Sequence, residues 1–162
     1  MSLAEAIDQL GELSAEIKRA AFTDDKTSLK SALALHQEEL LINASGRQPH
    51  VVVFGDLDDF KHLNDDYSHE AGDVALQVIG ETINDIVINK LKGSAYRRSG
   101  DEFVILLEQE ALEGFLAYVP SFRDIPFRYN TRILETGMSL GYTIADGKAS
   151  FDELMLRADA AC

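Results

Sequence analysis

Residues 95–107 read Ala95-Tyr96-Arg97-Arg98-Ser99-Gly100-Asp101-Glu102-Phe103-Val104-Ile105-Leu106-Leu107, and this stretch decides the fold. Two β-prone runs, Ala95 to Arg98 and Phe103 to Glu108, flank the polar segment Ser99-Gly100-Asp101-Glu102. That spacing predicts a tight antiparallel hairpin. Upstream, His50 to Phe54 is a β-branched run and predicts a further strand. Downstream, Phe127 to Leu134 and Met138 to Ala145 predict two more.

Helices fall between and around these strands. Gly72 to Lys92 carries Val74, Ala75, Val78, Ile79, Ile83, Ile86 and Val87 on one face. Glu110 to Val119 predicts a short helix stopped by Pro120, and Phe151 to Ala161 a closing one. Leu29, Leu33, Leu40 and Leu41 support a helix ending before Asn43-Ala44-Ser45-Gly46, with Thr23-Asp24-Asp25 as its cap. Leu3, Ile7, Leu10, Leu13, Ile17 and Ala20 or Ala21 recur every three or four positions, predicting a helix over 3–22. Two readings of that helix stay open: an amphipathic helix folded onto the domain, or a connecting coiled-coil helix. Residues 55–70 are polar and rich in aspartate. Hairpins in sequence with helices on one face mean α+β with a mainly antiparallel sheet. Residues 1–22 are expected to connect, and residues 23–162 to form one domain.

The chain of 162 residues carries a net charge of −13. Nucleic acids and anionic membranes want a basic face, so neither is expected as a direct partner. A small anionic ligand stays open if a cation accompanies it. Cys162 is the only cysteine, which excludes a disulfide framework and fits a reducing, cytoplasmic compartment. The apolar runs are too short to cross a bilayer, and the N-terminus has no signal-peptide pattern.

Two acidic clusters carry the chemistry. One follows the first strand: Asp56-Leu57-Asp58-Asp59, then Phe60-Lys61, then Asn64-Asp65-Asp66. The other is Asp101-Glu102 in the hairpin turn. If the first strand lies beside the hairpin, Asp56 and Asp101 meet at the sheet's edge. Converging carboxylates are costly without a positive charge between them. Oxygen donors with no His or Cys companions suit Mg²⁺ (or Mn²⁺) rather than Zn²⁺. Either cluster alone also serves as an ordinary turn; it is their order and spacing together that distinguish the two readings.

That order closely resembles the GGDEF family, the diguanylate cyclases. The family's pattern D-x-D-x-F-K-x-x-N-D-x-x-G-H-x-x-G-D is matched by Asp56, Asp58, Phe60, Lys61, Asn64, Asp65, His69, Gly72 and Asp73. The name motif appears as Ser99-Gly100-Asp101-Glu102-Phe103, preceded by Arg97. Ser139-Leu140-Gly141 and Leu154 through Ala161 match two later motifs. The resemblance covers about residues 23 to 162.

The resemblance implies a palm-like, ferredoxin-related sheet, as in nucleotidyl cyclases. It implies condensation of two GTP to cyclic di-GMP on a homodimer, usually governed by an N-terminal sensor domain. By the same resemblance Asp56, the carbonyl of Leu57, Asp101 and Glu102 hold metal, and Asp101 is the candidate base. Asn64 and Asp73 read guanine, with His69 near the substrate. Lys61, Phe60, Ser99 and Gly100 contact it elsewhere, Lys61 also assisting catalysis. Asp73 can accept from the guanine ring nitrogen and exocyclic amine, and adenine presents the opposite pattern.

The sequence departs from the family in four places. Ser99 and Ser68 stand where the family has glycine. Of D-x-L-T-G-L-x-N-R, only Asp24, Thr27 and Leu29 survive in residues 24–32. The family's inhibitory R-x-x-D is replaced by Lys90-Leu91-Lys92-Gly93. Members continue past R-A-D-x-A with further phosphate-gripping Lys and Arg, so the chain ending at Cys162 is expected to be truncated. The alternative expectation is a weak or inactive domain that binds GTP or cyclic di-GMP for regulation. A purely structural dimerisation module would leave the aspartates unexplained.

Overall fold

Val51, Val52, Val53 and Phe54 are all buried, so this run has no solvent face. Side chains alternate across a strand, and an unbroken apolar run therefore needs cover on both sides. The structure, a computed structural model describing residues 1–162, supplies that cover. Strand β1 (Val51–Leu57) lies between β3 (Glu102–Leu107) and β6 (Met138–Ile144), with β2 (Ser94–Ser99) beyond β3. Every pairing is antiparallel. Val51, Val53 and Leu57 pack toward α4 (His69–Ile83) and its π-helical continuation Asn84–Lys90. Val52 and Phe54 pack toward α2 (Ala32–Ser45) and α6 (Phe151–Ala161). The helices thus cover both faces, which corrects the expectation of helices on one face only.

Other boundaries differ for local reasons. Leu33, Leu40 and Leu41 are exposed, and α2 instead buries Ala34, Leu35 and Ile42. Ser31, not Thr23-Asp24-Asp25, caps α2, and the helix runs through Asn43-Ala44-Ser45 to Gly46 at φ +68. A short helix, α3 (Phe60–Asp66), lies within the stretch read only as polar. The short helix α5 (Leu112–Tyr118) stops just ahead of Pro120, which lies second in a 3₁₀ turn, Val119–Phe122. The strand expected over 127–134 is a hairpin, β4 (Ile125–Tyr129) and β5 (Arg132–Thr136), turning at Asn130 with φ +53.

Helix α1 (Leu3–Phe22) buries no residue. Leu3, Ile7, Leu10, Leu13 and Ile17 are 52–79% exposed, which decides against a helix folded onto the domain. Only its C-terminal end is anchored: Phe22 packs on the core, and Ser31 donates to the Ala21 carbonyl at 2.7 Å. Leu3, Leu10 and Ile17 are seven apart, as are Ala6, Leu13 and Ala20. That is a heptad seam. No helix is long and apolar enough to cross a membrane.

Candidate active site

Asp56 is the penultimate residue of β1, and the ladder sets it opposite Glu102 on one side and Ser139 on the other. The Leu57 amide donates to the Asp101 carbonyl at 3.0 Å, tying the strand end to the hairpin turn. The two acidic clusters therefore meet, as the sequence led one to expect. Burial, and then the Asp101 carboxylate with a shared hydrogen bond, push the Asp56 carboxyl up to about 6, with Glu102 and Asp58 adding to the effect. This is a cluster short of a cation.

The neighbouring carboxylates have other partners at present. Glu102 accepts from the Ser99 hydroxyl at 2.6 Å and lies 3.8 Å from Arg98. Asp58 accepts from the Ser139 hydroxyl at 2.5 Å. No ready-made cage of three acidic side chains is drawn up. The donor set still fits Mg²⁺, which commonly takes one or two carboxylates and completes its shell with water and phosphate oxygens. Ser99, where the family has glycine, is the residue that steers Glu102.

A second group of contacts fixes the turn itself. The Arg97 guanidinium donates to the Gly100 carbonyl from Nε at 3.0 Å and from Nη2 at 2.8 Å. Its Nη1 reaches Asp24 at 3.0 Å, and both side chains are only 16% exposed. Asp24 also accepts from the Thr27 amide at 2.9 Å and hydroxyl at 2.8 Å. Burial alone would raise the Asp24 carboxyl, but the Thr27 and Arg97 donors outweigh it and hold it below its ordinary range. The sequence suggested Asp24 only as part of a helix cap and gave no signal that it pairs with Arg97. Their partnership spans 73 residues and is visible only in the fold.

Asn64 lies on α3 and Asp73 on α4. A Cβ on Gly72 would lie 2.0 Å from the Asn64 Oδ1, so this glycine makes room for the asparagine. Gly72→Ala is therefore expected to displace Asn64. A ligand that Asn64 holds is expected to bind several-fold more weakly in that variant, on the order of one lost hydrogen bond, while the far-ultraviolet circular dichroism stays unchanged. Asp73 is engaged by Lys26, whose ammonium lies 2.5 Å from Oδ2. Phe60 packs against the core and anchors α3, whereas Lys61 and His69 stand exposed. Ser68, the other glycine replacement, has φ 176, an extended backbone open to any residue. Its hydroxyl caps α4 at the Ala71 amide and meets the Tyr129 hydroxyl at 2.7 Å.

An open cleft of about 780 Å³ runs along the Asp58–Asp59 side of the β1 end, lined also by Ser139, Cys162 and Arg123. Asp56, Asp101 and Glu102 lie outside it. Arg123 is the one cation lining it, and the sequence gave no signal for that placement. At 90–93, Lys90 is paired with Asp85 at 2.8 Å and stacks 5.2 Å from the Tyr118 ring centre. A Cβ on Gly93 would lie 2.6 Å from Leu107, so a carboxylate has no place there.

Comparison with known proteins points one way. The family described as "Diguanylate cyclase, GGDEF domain" matches residues 21–162. Diguanylate cyclase DgcN of Escherichia coli is 28% identical over 152 residues, covering 90% of this chain and 37% of that protein. Diguanylate cyclase DgcP of Pseudomonas aeruginosa is 30% identical over 154 residues, 89% of this chain and 22% of that protein. The chain thus spans well under half of these relatives. The crystal structure of the coiled coil and GGDEF domain of DgcB from Caulobacter crescentus, in complex with c-di-GMP, superposes with a TM-score of 0.83. It is 22% identical and covers 98% of this chain and 87% of that one. At that identity the likeness speaks for the fold, extended helix included.

Proposed function

Since this chain belongs to the GGDEF domain family of diguanylate cyclases, we propose that it condenses two GTP into cyclic di-GMP in a Mg²⁺-dependent reaction. The observation that carries the reading is Asp56 in register with Glu102 and bonded through its neighbour Leu57 to Asp101. A bound Mg²⁺ would be held by Asp56, the Leu57 carbonyl, Asp101 and Glu102, and would neutralise phosphate charge.

The chain's own residues then do the following. Asn64 and Asp73 orient the guanine edge. Phe60 fixes the α3 loop, where Lys61 offers a cation to the phosphates, and His69 stands at the start of α4. Asp101, at the turn with Ser99 and Gly100, takes the proton from a ribose 3′-hydroxyl. The oxygen so released attacks the α-phosphorus of the facing GTP, a phosphodiester bond forms to the 3′-oxygen, and the α–β phosphoanhydride bond breaks to release pyrophosphate. The same exchange in the other direction closes the ring. Positioning and charge neutralisation account for most of such a reaction.

One domain holds one GTP, so two copies must face each other. The exposed seam of α1 is suited to hold them, with a sensor domain upstream supplying control in the cytoplasm. Two measurements test the reading. Calorimetric titration is expected to give GTP binding that needs Mg²⁺ and exceeds ATP binding; equal affinity for ATP would remove the guanine assignment. Specific activity is expected to rise with protein concentration, and to rise further when a strong dimeriser is fused before Leu3. Activity strictly proportional to a proven monomer's concentration would contradict the facing arrangement.

A further inference from the structure

We infer that Lys26 competes with the guanine edge for the Asp73 carboxylate and so sets how tightly the domain takes GTP. The inference rests on the reading of Asp73 as the guanine acceptor. Guanine offers two adjacent donors, its ring N–H and its exocyclic amine, and a carboxylate meets them with both oxygens. In this structure Oδ2 of Asp73 already accepts from the Lys26 ammonium. The ammonium partly neutralises the carboxylate and takes up one of its acceptor positions, so the base meets a weaker and more crowded acceptor than a free aspartate.

The backbone that carries Lys26 is held in place. The neighbouring Thr27 is fixed by two hydrogen bonds to Asp24, which is itself clamped by Arg97. On the other side the Thr27 carbonyl lies against Gly80, where a Cβ would come within 2.3 Å of it. The loop backbone is therefore pinned between the hairpin and α4, and it delivers Lys26 to Asp73 from a fixed base. The family pattern D-x-L-T has leucine at this position, which offers no charge to the carboxylate. The pair itself is 41% and 44% exposed, so it opens readily and its grip is modest.

The test uses guanosine, which lacks phosphates and so isolates the base from any lysine–phosphate attraction. Guanosine affinity is measured for the wild type, Lys26→Met, Lys26→Arg and Asp73→Asn. Lys26→Met is expected to bind guanosine about two- to five-fold tighter, the size of an exposed ion pair. Lys26→Arg should stay close to wild type, and adenosine affinity should not change. With GTP as substrate the gain should fall on KM rather than kcat, a split that altered folding would not produce. Unchanged or weaker guanosine binding in Lys26→Met, while Asp73→Asn still weakens it, overturns the role of Lys26 and leaves the base-reading assignment intact. If Asp73→Asn has no effect on guanosine, the base-reading assignment itself falls and takes the competitor with it.

Discussion

Asp56→Asn is expected to lower turnover by about a hundredfold or more, because it removes a carboxylate from the group proposed to hold Mg²⁺. The same change should raise the thermal stability of the metal-free protein at neutral pH. Asp56 has a folded-state carboxyl raised to about 6. Its contribution to stability is therefore fully present below the ordinary carboxylate range and is lost as pH rises through about 6. Asparagine carries no charge to repel Asp101 and Glu102. The stability gain should appear above pH 6 and vanish near pH 4, and Mg²⁺ with GTP should reverse the order of the two proteins. Opposite signs for stability and activity are what a strained functional cluster produces. Calorimetric melting curves across that pH range, with and without Mg²⁺, read the first effect; product formation reads the second.

Arg97→Ala should damage both folding and catalysis. It removes the guanidinium that holds the Gly100 carbonyl and leaves Asp24 without its cation. A loss of about 2 kcal/mol is expected, the scale of an unsatisfied, largely buried polar group. For a domain of this size that lowers Tm by about 4–8 °C. Turnover should fall at least tenfold at temperatures where the variant is folded, since displaced reacting groups cost about that much or more. Arg97→Lys should rescue little, because an ammonium cannot span the Gly100 carbonyl and Asp24 together. Near-wild-type turnover in Arg97→Ala would show that the turn keeps its shape without the clamp.

The parts legible in the sequence are those fixed by short-range rules. Ser99-Gly100-Asp101-Glu102 between two β-prone runs specified the hairpin, and the 2-residue pleat period then fixed which side chains share its edge. Asp56 beside Asp101 followed once β1 was set against β3. The apolar run Val51–Phe54 carried a further message that both sheet faces are covered, because a half-exposed strand would alternate. The β4–β5 turn was hidden because Asn130 is followed by Thr131 rather than by the glycine that usually marks such a turn. In α2 the leucine spacing misled, since Leu33, Leu40 and Leu41 face solvent.

The contacts between Asp24 and Arg97 and between Lys26 and Asp73 were illegible for a different reason. They join residues 73 and 47 positions apart, and no local pattern encodes such a meeting. Residues 24–32 keep only Asp24, Thr27 and Leu29 of the family's pattern. The fold shows that this same loop ties the hairpin turn to α4. Of its residues, the retained Asp24 acts through Arg97 on the turn that carries Asp101, and the substituted Lys26 acts on Asp73 of α4.

The most direct measurement incubates the protein with GTP and Mg²⁺ at a concentration that favours dimers and identifies the products by mass spectrometry. The account predicts cyclic di-GMP with two pyrophosphates released per molecule formed, lost in Asp56→Asn and absent without a divalent metal. GTP that binds but is recovered unchanged, even when α1 is held as a dimer, would contradict it.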